Sequence, residues 1–400
     1  MALRNGLTAV YQAMRAAAPY ALPEAVRDAL VEHGAARSVE LLLADYALVA
    51  LRPVLGDPDS GGPEIRIDSG AAGRAFASQQ PQWENAHSTL YLPVAASGER
   101  IGVLGVGLPG PPELDEVAGF EEVAAALGHG LRGADRITDR YQRARRIARM
   151  TLAAEMQWGL LPGYGHRGNG YRLAGQLEPA YAVYGDNFDW SCEPSALTLS
   201  ITNGMGEGMR AALLTTLTVT ALRNARRSGA NLEEQAGLAD EAVYAQYGGR
   251  EHVSTLLLHF DATTGHLSAV DAGSPRIMRL RGTDVETIKL EQQLPLGMFG
   301  NTAYTEQFVT LQPGDRLVIM TDGVYDARSS HDGSYGEALL ESAVRSTRLQ
   351  PADEAVRTMI RGMLTFREGV DVFDDAVVVC LDWTAEQQSE DLPPARGDVM

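Results

Sequence analysis

Lysine is almost absent from this chain: Lys289 is the only one in 400 residues, and nearly all positive charge is arginine. With 34 basic against 52 acidic residues the formal net charge is −18, which argues against nucleic acid as the main partner. Cysteine is nearly as scarce. Cys192 and Cys380 form no CxxC or Cys/His pattern, so a zinc site is not indicated, and two distant thiols suit a reducing compartment. No apolar run reaches the length of a membrane span, and the N-terminus lacks the apolar stretch of a signal peptide. The chain therefore reads as a cytoplasmic protein with no membrane or nucleic-acid partner. At 45% hydrophobic and 22% charged residues it is globular, and its length suggests two domains.

What is present is a set of apolar runs, each with an acidic or amide residue at one end. The most informative is Thr198-Leu199-Ser200-Ile201-Thr202-Asn203-Gly204-Met205-Gly206-Glu207-Gly208, read as strand, glycine turn and then a helix from Met209 to Arg227. The runs 197–201, 317–320 and 376–381 predict buried strands. If these strands pack together, Asp186, Asn203, Asp322 and Asp374 converge at one edge of a sheet sandwich. Clustered carboxylates repel, and a hard divalent cation is the usual resolution. Each pattern alone is more often an ordinary turn.

The first third reads as helix over 1–34, broken around Pro19 and Pro23, then strands over 38–54, a loop over 57–63 and a short helix at Gly73-Arg74-Ala75-Phe76. Tyr91-Leu92-Pro93-Val94 and Ile101-Gly102-Val103-Leu104 form a strand pair across a Ser97-Gly98 turn. This order resembles a GAF sensor domain, with a PAS-like domain as the alternative. The resemblance implies either a small-molecule cup on the sheet or a ligand-free dimerisation unit. From Glu113 to Leu161 the pattern is helical. Ile137, Tyr141, Ala144, Ala148 and Leu152 suit a short dimeric coiled coil, with a solvated helix face as the lesser alternative for the arginines among them. Pro162-Gly163 ends the helix.

Leu152-Ala153-Ala154-Glu155-Met156-Gln157-Trp158-Gly159-Leu160-Leu161-Pro162 is similar to the segment that leads into the catalytic domain of bacterial SpoIIE/RsbU-type phosphatases. Four later stretches carry the same resemblance: Val183-Tyr184-Gly185-Asp186-Asn187-Phe188-Asp189-Trp190, Asn203-Gly204-Met205-Gly206, Gly314 to Val324 with Asp322, and Phe373-Asp374-Asp375-Ala376. The resemblance implies an α+β, two-domain chain: a GAF-like α/β sensor over 1–130, a helical linker or coiled coil over 131–162 and a PPM/PP2C αββα sandwich over 163–383; the polar, Pro-containing stretch over 384–400 reads as a disordered tail. The resemblance implies hydrolysis of phosphoserine or phosphothreonine with Mn²⁺ or Mg²⁺, on a phosphorylated STAS-type anti-anti-sigma protein; the apolar spacing over 130–160 separately suggests a homodimer. The resemblance places Asp186 on one metal, Asn203 where the family has the aspartate bridging both, the Gly204 carbonyl beside it, and Asp322 and Asp374 on the other metal. Asp375 and Asp189 would support them. The chain departs from the family pattern at Asn203, at Ser274 in Asp271-Ala272-Gly273-Ser274-Pro275, where His is usual, and at Glu207. An amide cannot bridge two cations as a carboxylate does. A pseudophosphatase that binds a partner without turnover is therefore the alternative reading.

Overall fold

The computed structural model describes residues 2–55, 64–84, 88–178, 184–273, 275–329, 333–367 and 374–384. The expected loop over 57–63, Val183, Ser274, Phe373 and the tail from 385 onward lie outside the described residues. The N-terminal unit begins with two helices, α1 (Ala2–Ala16) and α2 (Leu22–His33), separated at Pro19 as expected. Six antiparallel strands follow: β1 (Ser38–Ala44), β2 (Ala50–Pro53), β3 (Ile65–Arg66), β4 (Gln82–Glu84), β5 (Thr89–Ala96) and β6 (Glu99–Gly107), in the order β3-β2-β1-β6-β5-β4. Residues 47–49, expected in a strand, form the β1–β2 turn instead. Buried Asp45 explains this, since its carboxylate accepts the Val49 and Ala50 N–H groups at 2.7 and 3.0 Å. The β5–β6 turn sits at Ser97-Gly98, both with positive φ, which suits the twist of a tight hairpin. Helices α1, α2 and α4 (Leu114–Ala134) cover one face of the sheet, and α3 (Gly70–Ser78) covers the other.

The linker is not one long helix. After α4 the chain turns, forms the six-residue α5 (Arg140–Arg145), runs without helix from 146 to 151, and re-enters helix as α6 (Leu152–Leu160). The cause is the side chains expected to form the seam. Tyr141 folds back into the N-terminal core and donates to the Pro19 carbonyl, while Arg140 pairs with Glu24 and the Val54 carbonyl. Ile137 and Leu152 are 73% and 67% exposed, so they do not share a buried stripe with Tyr141. The basic run is likewise not a uniformly solvated face, because Arg145 is buried.

The C-terminal unit has two stacked antiparallel sheets. One has the order β15-β12-β11-β10-β9, with β9 (Asp186–Cys192), β10 (Ala196–Gly204), β11 (Val253–Asp261), β12 (His266–Ala272) and β15 (Gln307–Thr310). The other is β14-β13-β16-β17-β8-β7, with β7 (Gly165–Gly168), β8 (Tyr171–Glu178), β13 (Arg276–Arg281), β14 (Asp284–Ile288), β16 (Arg316–Met320) and β17 (Ala376–Trp383). Strand alternation assigns the layers. Leu197, Leu199, Ile201, Leu317, Ile319, Val377 and Val379 meet between the sheets. Val318, Met320, Val378 and Cys380 face outward onto the helix Ala352–Arg367. Leu257 and Val270 face α7 (Gly208–Arg227) and α8 (Leu232–Tyr247). The result is the expected helix–sheet–sheet–helix sandwich. Among the described residues, no helix is long and apolar enough to cross a membrane.

Candidate metal and phosphoryl-transfer site

The antiparallel register sets Asn203 of β10 directly opposite Asp186 of β9 at one end of the first sheet. In the second sheet, β16 delivers Asp322, the first residue of α9 (Asp322–Tyr325), and Asp374 and Asp375 immediately precede the neighbouring β17. The two sheet ends meet here. Asn203 Nδ2 donates to Asp322 Oδ1 at 2.6 Å, which ties one sheet to the other. All five expected positions, Asp186, Asn203, Gly204, Asp322 and Asp374, are thus gathered at one end of the sandwich.

Glycine is required here for close approach. Gly204 is the last residue of β10 and keeps a negative φ. A Cβ on it would come within 2.7 Å of the Thr215 hydroxyl. Its N–H donates to the Gly185 carbonyl at 3.1 Å, and that carbonyl also accepts the Thr215 hydroxyl at 2.7 Å. Gly185 has φ +109°, and a Cβ there would stand 2.1 Å from the Gly204 carbonyl oxygen. Gly185→Ala is therefore expected to destabilise the chain by ~2–4 kcal/mol, with the strained φ and the backbone clash acting together. Urea unfolding checks this, and a change under ~1 kcal/mol would contradict it.

The carboxylates are held in an environment that disfavours their charge. Asp186 is fully buried and neither of its oxygens has a hydrogen-bond partner. Burial first, then Asp375 and Asp374, push its carboxyl well above the usual range, with the nearby Thr321 hydroxyl opposing only weakly. Burial, then Asp322 and Asp375, push Asp374 up to about 7. Burial likewise raises Asp322, against the Gly323 N–H and the Asn203 amide. Asp375 is pushed up to about 6 by burial, although it accepts several hydrogen bonds. These folded-state values lie above the ordinary 3.8, so between pH 4 and 7 the folded chain holds protons that the unfolded chain has released. Stability from this source is complete below pH 4 and is lost as pH rises through 7. In EDTA the expected loss from pH 5 to 8 is ~1–3 kcal/mol, after discounting for solvent around half-buried Asp374. Urea midpoints that stay level or rise over this range would contradict it.

Unpaired, buried, hard oxygen donors fit a divalent cation by their chemistry. Among the described residues, however, no three His, Cys, Asp or Glu side chains are arranged around one common ion position, and the Asn203 amide engages Asp322 where an acid would leave it open.

Gln157 was not legible in the sequence as a contributor, whereas Asp375 supports the site as expected. Gln157 of α6 donates to the Asp186 carbonyl and, at 2.9 Å, to Asp375 Oδ2. Asp375 Oδ2 also accepts the N–H groups of Tyr184, Gly185 and Asp186 at 2.7, 3.0 and 3.4 Å, so Asp375 builds the turn that carries Asp186. Asp189 does not support that turn. It is 2% exposed and clamps β9 to α7 through Arg223 at 2.7 Å and Arg226 at 3.1 Å. Glu207 is exposed in the turn ahead of α7, and its side chain makes no capping hydrogen bond.

Residues 193–384 match the family model described as stage II sporulation protein E (SpoIIE). Protein IcfG of Synechocystis sp. is 23% identical over 145 residues, 36% of this chain. The match covers 23% of that protein, so the chain spans under a quarter of the curated relative it matches. The SiaA-PP2C domain of Pseudomonas aeruginosa aligns with a TM-score of 0.50 at 18% identity, over 58% of this chain and 94% of that one. The PP2C phosphatase domain of SpoIIE from Bacillus subtilis, solved with a fragment of its regulatory domain, gives 0.47 at 19%, over 54% and 64%. Residues 193–384 thus match the SpoIIE family model, the sandwich has the fold of a PP2C domain, and the N-terminal α/β unit is of unassigned type.

Proposed function

We propose that the chain is a divalent-cation-dependent phosphoserine/phosphothreonine protein phosphatase of the SpoIIE/RsbU type, controlled by its N-terminal unit. The observation that carries this reading is the buried Asp186 carboxylate with both oxygens unpartnered, beside Asp322 and Asp374 at the meeting of two sheet ends. Asp186, Asp322, Asp374 and the Gly204 carbonyl would hold Mn²⁺ or Mg²⁺. When bound, such ions neutralise phosphoryl oxygens and lower the pKa of an attacking water. The chain's own contribution is placement: Asp375 fixes the Asp186 turn, Thr215 and Gly185 fix Gly204, and Asn203 orients Asp322. The N-terminal unit, with a six-stranded antiparallel sheet covered by helices on both faces, is read as a GAF-like sensor over 1–130. The substrate is read as a phosphorylated STAS-type anti-anti-sigma protein, and the working form as a cytoplasmic homodimer.

One observation favours a second reading, a pseudophosphatase that binds its partner without turnover. The Asn203 amide satisfies Asp322 with a proton at the position the family gives to a bridging carboxylate. A phosphatase assay on a phosphorylated STAS-domain protein with Mn²⁺ separates the two. Turnover that needs Mn²⁺ and falls at least a hundredfold in Asp322→Ala supports the enzyme. Absence of turnover, with the phosphoprotein still bound, establishes the binding module.

A further inference from the structure

The cavity of about 430 Å³ at the joint between the two units lies away from the acidic site. The end of α4, α5, the C-terminal turn of α6 and one residue of α7 enclose it. In a chain of net charge −18 its lining is basic: Arg132, Arg136, Arg145, Arg146 and Arg223 stand against Glu99, Asp135 and Glu155. Three of the arginines are already committed. Arg132 pairs with Glu99 at 2.6 Å, Arg146 with Glu155, and Arg223 with Asp189 at 2.7 Å. Arg223 also meets the Leu160 carbonyl at the negative C-terminal end of α6, and Arg132 the Pro162 carbonyl just beyond it.

Arg145 is different. It is 92% buried, being 8% exposed, and its Nε donates to the Ala44 carbonyl at 2.9 Å. Its guanidinium lies 4.7 Å from the Tyr46 ring centre and 5.6 Å from that of Tyr164. No carboxylate among the described residues comes within ion-pair distance of it. A buried charge with no counter-ion is costly, and cation–π contacts recover only about 2 kcal/mol. Glu99 and then Asp135 act on Arg145 only through space; Glu99 is already paired with Arg132, and Asp135 leaves a buried oxygen without a partner while burial pushes its carboxyl upward. Arg136 extends the same positive surface to the mouth of the cavity, and Trp158 lines its wall.

We propose that this cavity binds a small phosphate-bearing anion whose charge pairs with Arg145 and Arg136. Guanidinium forks match phosphate oxygens in pairs, and the volume accommodates a mononucleotide. The anion is either a free phosphate compound or a nucleotide whose base lies against Trp158. The site is distinct from any ligand cup on the N-terminal sheet.

Because Arg145→Ala would remove a buried side chain, the test rests on two other variants. Gly159 lines the cavity on α6 and is exposed, and a Cβ there meets nothing within 4 Å, so Gly159→Phe adds a ring at the cavity wall without a backbone clash. Arg136→Glu reverses an exposed charge at the mouth. Pyrophosphate, AMP, GMP and ADP are titrated by calorimetry into the whole chain in EDTA. Under those conditions the acidic site repels phosphate and does not compete. The expected result is binding of at least one probe with a dissociation constant below ~1 mM. Binding should be at least tenfold weaker in Arg136→Glu, and lost in Gly159→Phe at an unchanged melting temperature. Pyrophosphate binding as tightly as the nucleotides identifies free phosphate chemistry, and a marked preference for one base identifies a nucleotide. No binding of any probe at about 5 mM, or equal binding by both variants and the parent chain, overturns the proposal.

Discussion

Asn203→Asp is expected to raise Mn²⁺ affinity at least tenfold and, in EDTA, to lower stability by ~1–3 kcal/mol. Both effects follow from one contact. Asn203 Nδ2 donates to Asp322 Oδ1 at 2.6 Å, so the amide neutralises that oxygen without a cation. A carboxylate there loses this hydrogen bond and adds a fourth acid to Asp186, Asp322 and Asp374, whose carboxyls burial and mutual repulsion already raise. At an effective dielectric constant near 20, two unit charges ~4 Å apart repel by about 4 kcal/mol, and partial protonation relieves some of it. A dication reverses the sign, because each acid then attracts it and a carboxylate offers an oxygen to either side. The two variants should therefore cross: the aspartate form is less stable than the parent in EDTA and more stable in excess Mn²⁺. Unfolding midpoints with and without the ion read this directly, and phosphoprotein turnover should rise with affinity. Asn203-Gly204 is also a pair prone to deamidation, which requires attack by the Gly204 nitrogen. That N–H is held by the Gly185 carbonyl at 3.1 Å within the strand ladder, so conversion in the folded chain should be slow. Peptide mass analysis checks the starting material. Equal Mn²⁺ affinity and equal midpoints in parent and variant would refute the role assigned to this position.

Asn203, Asp322 and Asp374 were legible because each stands at one end of an apolar run, whereas Asp186 was legible through the family resemblance of 183–190. That β10, β16 and β17 are buried strands was legible from their apolar runs, and which side chains face which layer came from the structure. The linker was misread because helical spacing records which residues are apolar and says nothing of what they bury against. Tyr141 found the N-terminal core, and Arg145 found the Tyr46 and Tyr164 rings, so the chain folded back at residues 135–146 instead of continuing. Strand β4 escaped notice because its three residues depend on pairing with β5, not on any pattern of their own. The Asp189 clamp and the Gln157 contact escaped for a further reason. They join residues 34 and 218 positions apart, and no local rule reaches that far.

That long-range contact leads to the remaining large effect. Asp375→Ala is expected to cost ~3–5 kcal/mol, more than removing any of the exposed acids, and to abolish cation binding although Asp375 is not assigned as a ligand. Asp375 Oδ2 gathers the N–H groups of Tyr184, Gly185 and Asp186 and the Gln157 amide, all around one fully buried oxygen. Alanine leaves those donors without an acceptor and with no room for bulk water, and a buried donor left unmet costs about 1–3 kcal/mol. The turn then no longer dictates where the Asp186 side chain points. Asp375→Asn discriminates this account from a purely electrostatic one. Its single carbonyl oxygen can replace Oδ2 as acceptor, and its NH₂ then occupies the side where Oδ1 is buried and unpartnered. It also removes the charge that raises Asp186 and Asp374. If hydrogen bonding to the turn dominates, the amide variant keeps most of the stability that alanine loses, and its metal-free form loses less on going from pH 5 to 8. If charge repulsion dominates, both variants are more stable than the parent in EDTA at pH 8. Urea unfolding of the three proteins at the two pH values decides between them, and alanine at or above parental stability would refute the turn-building role of Asp375.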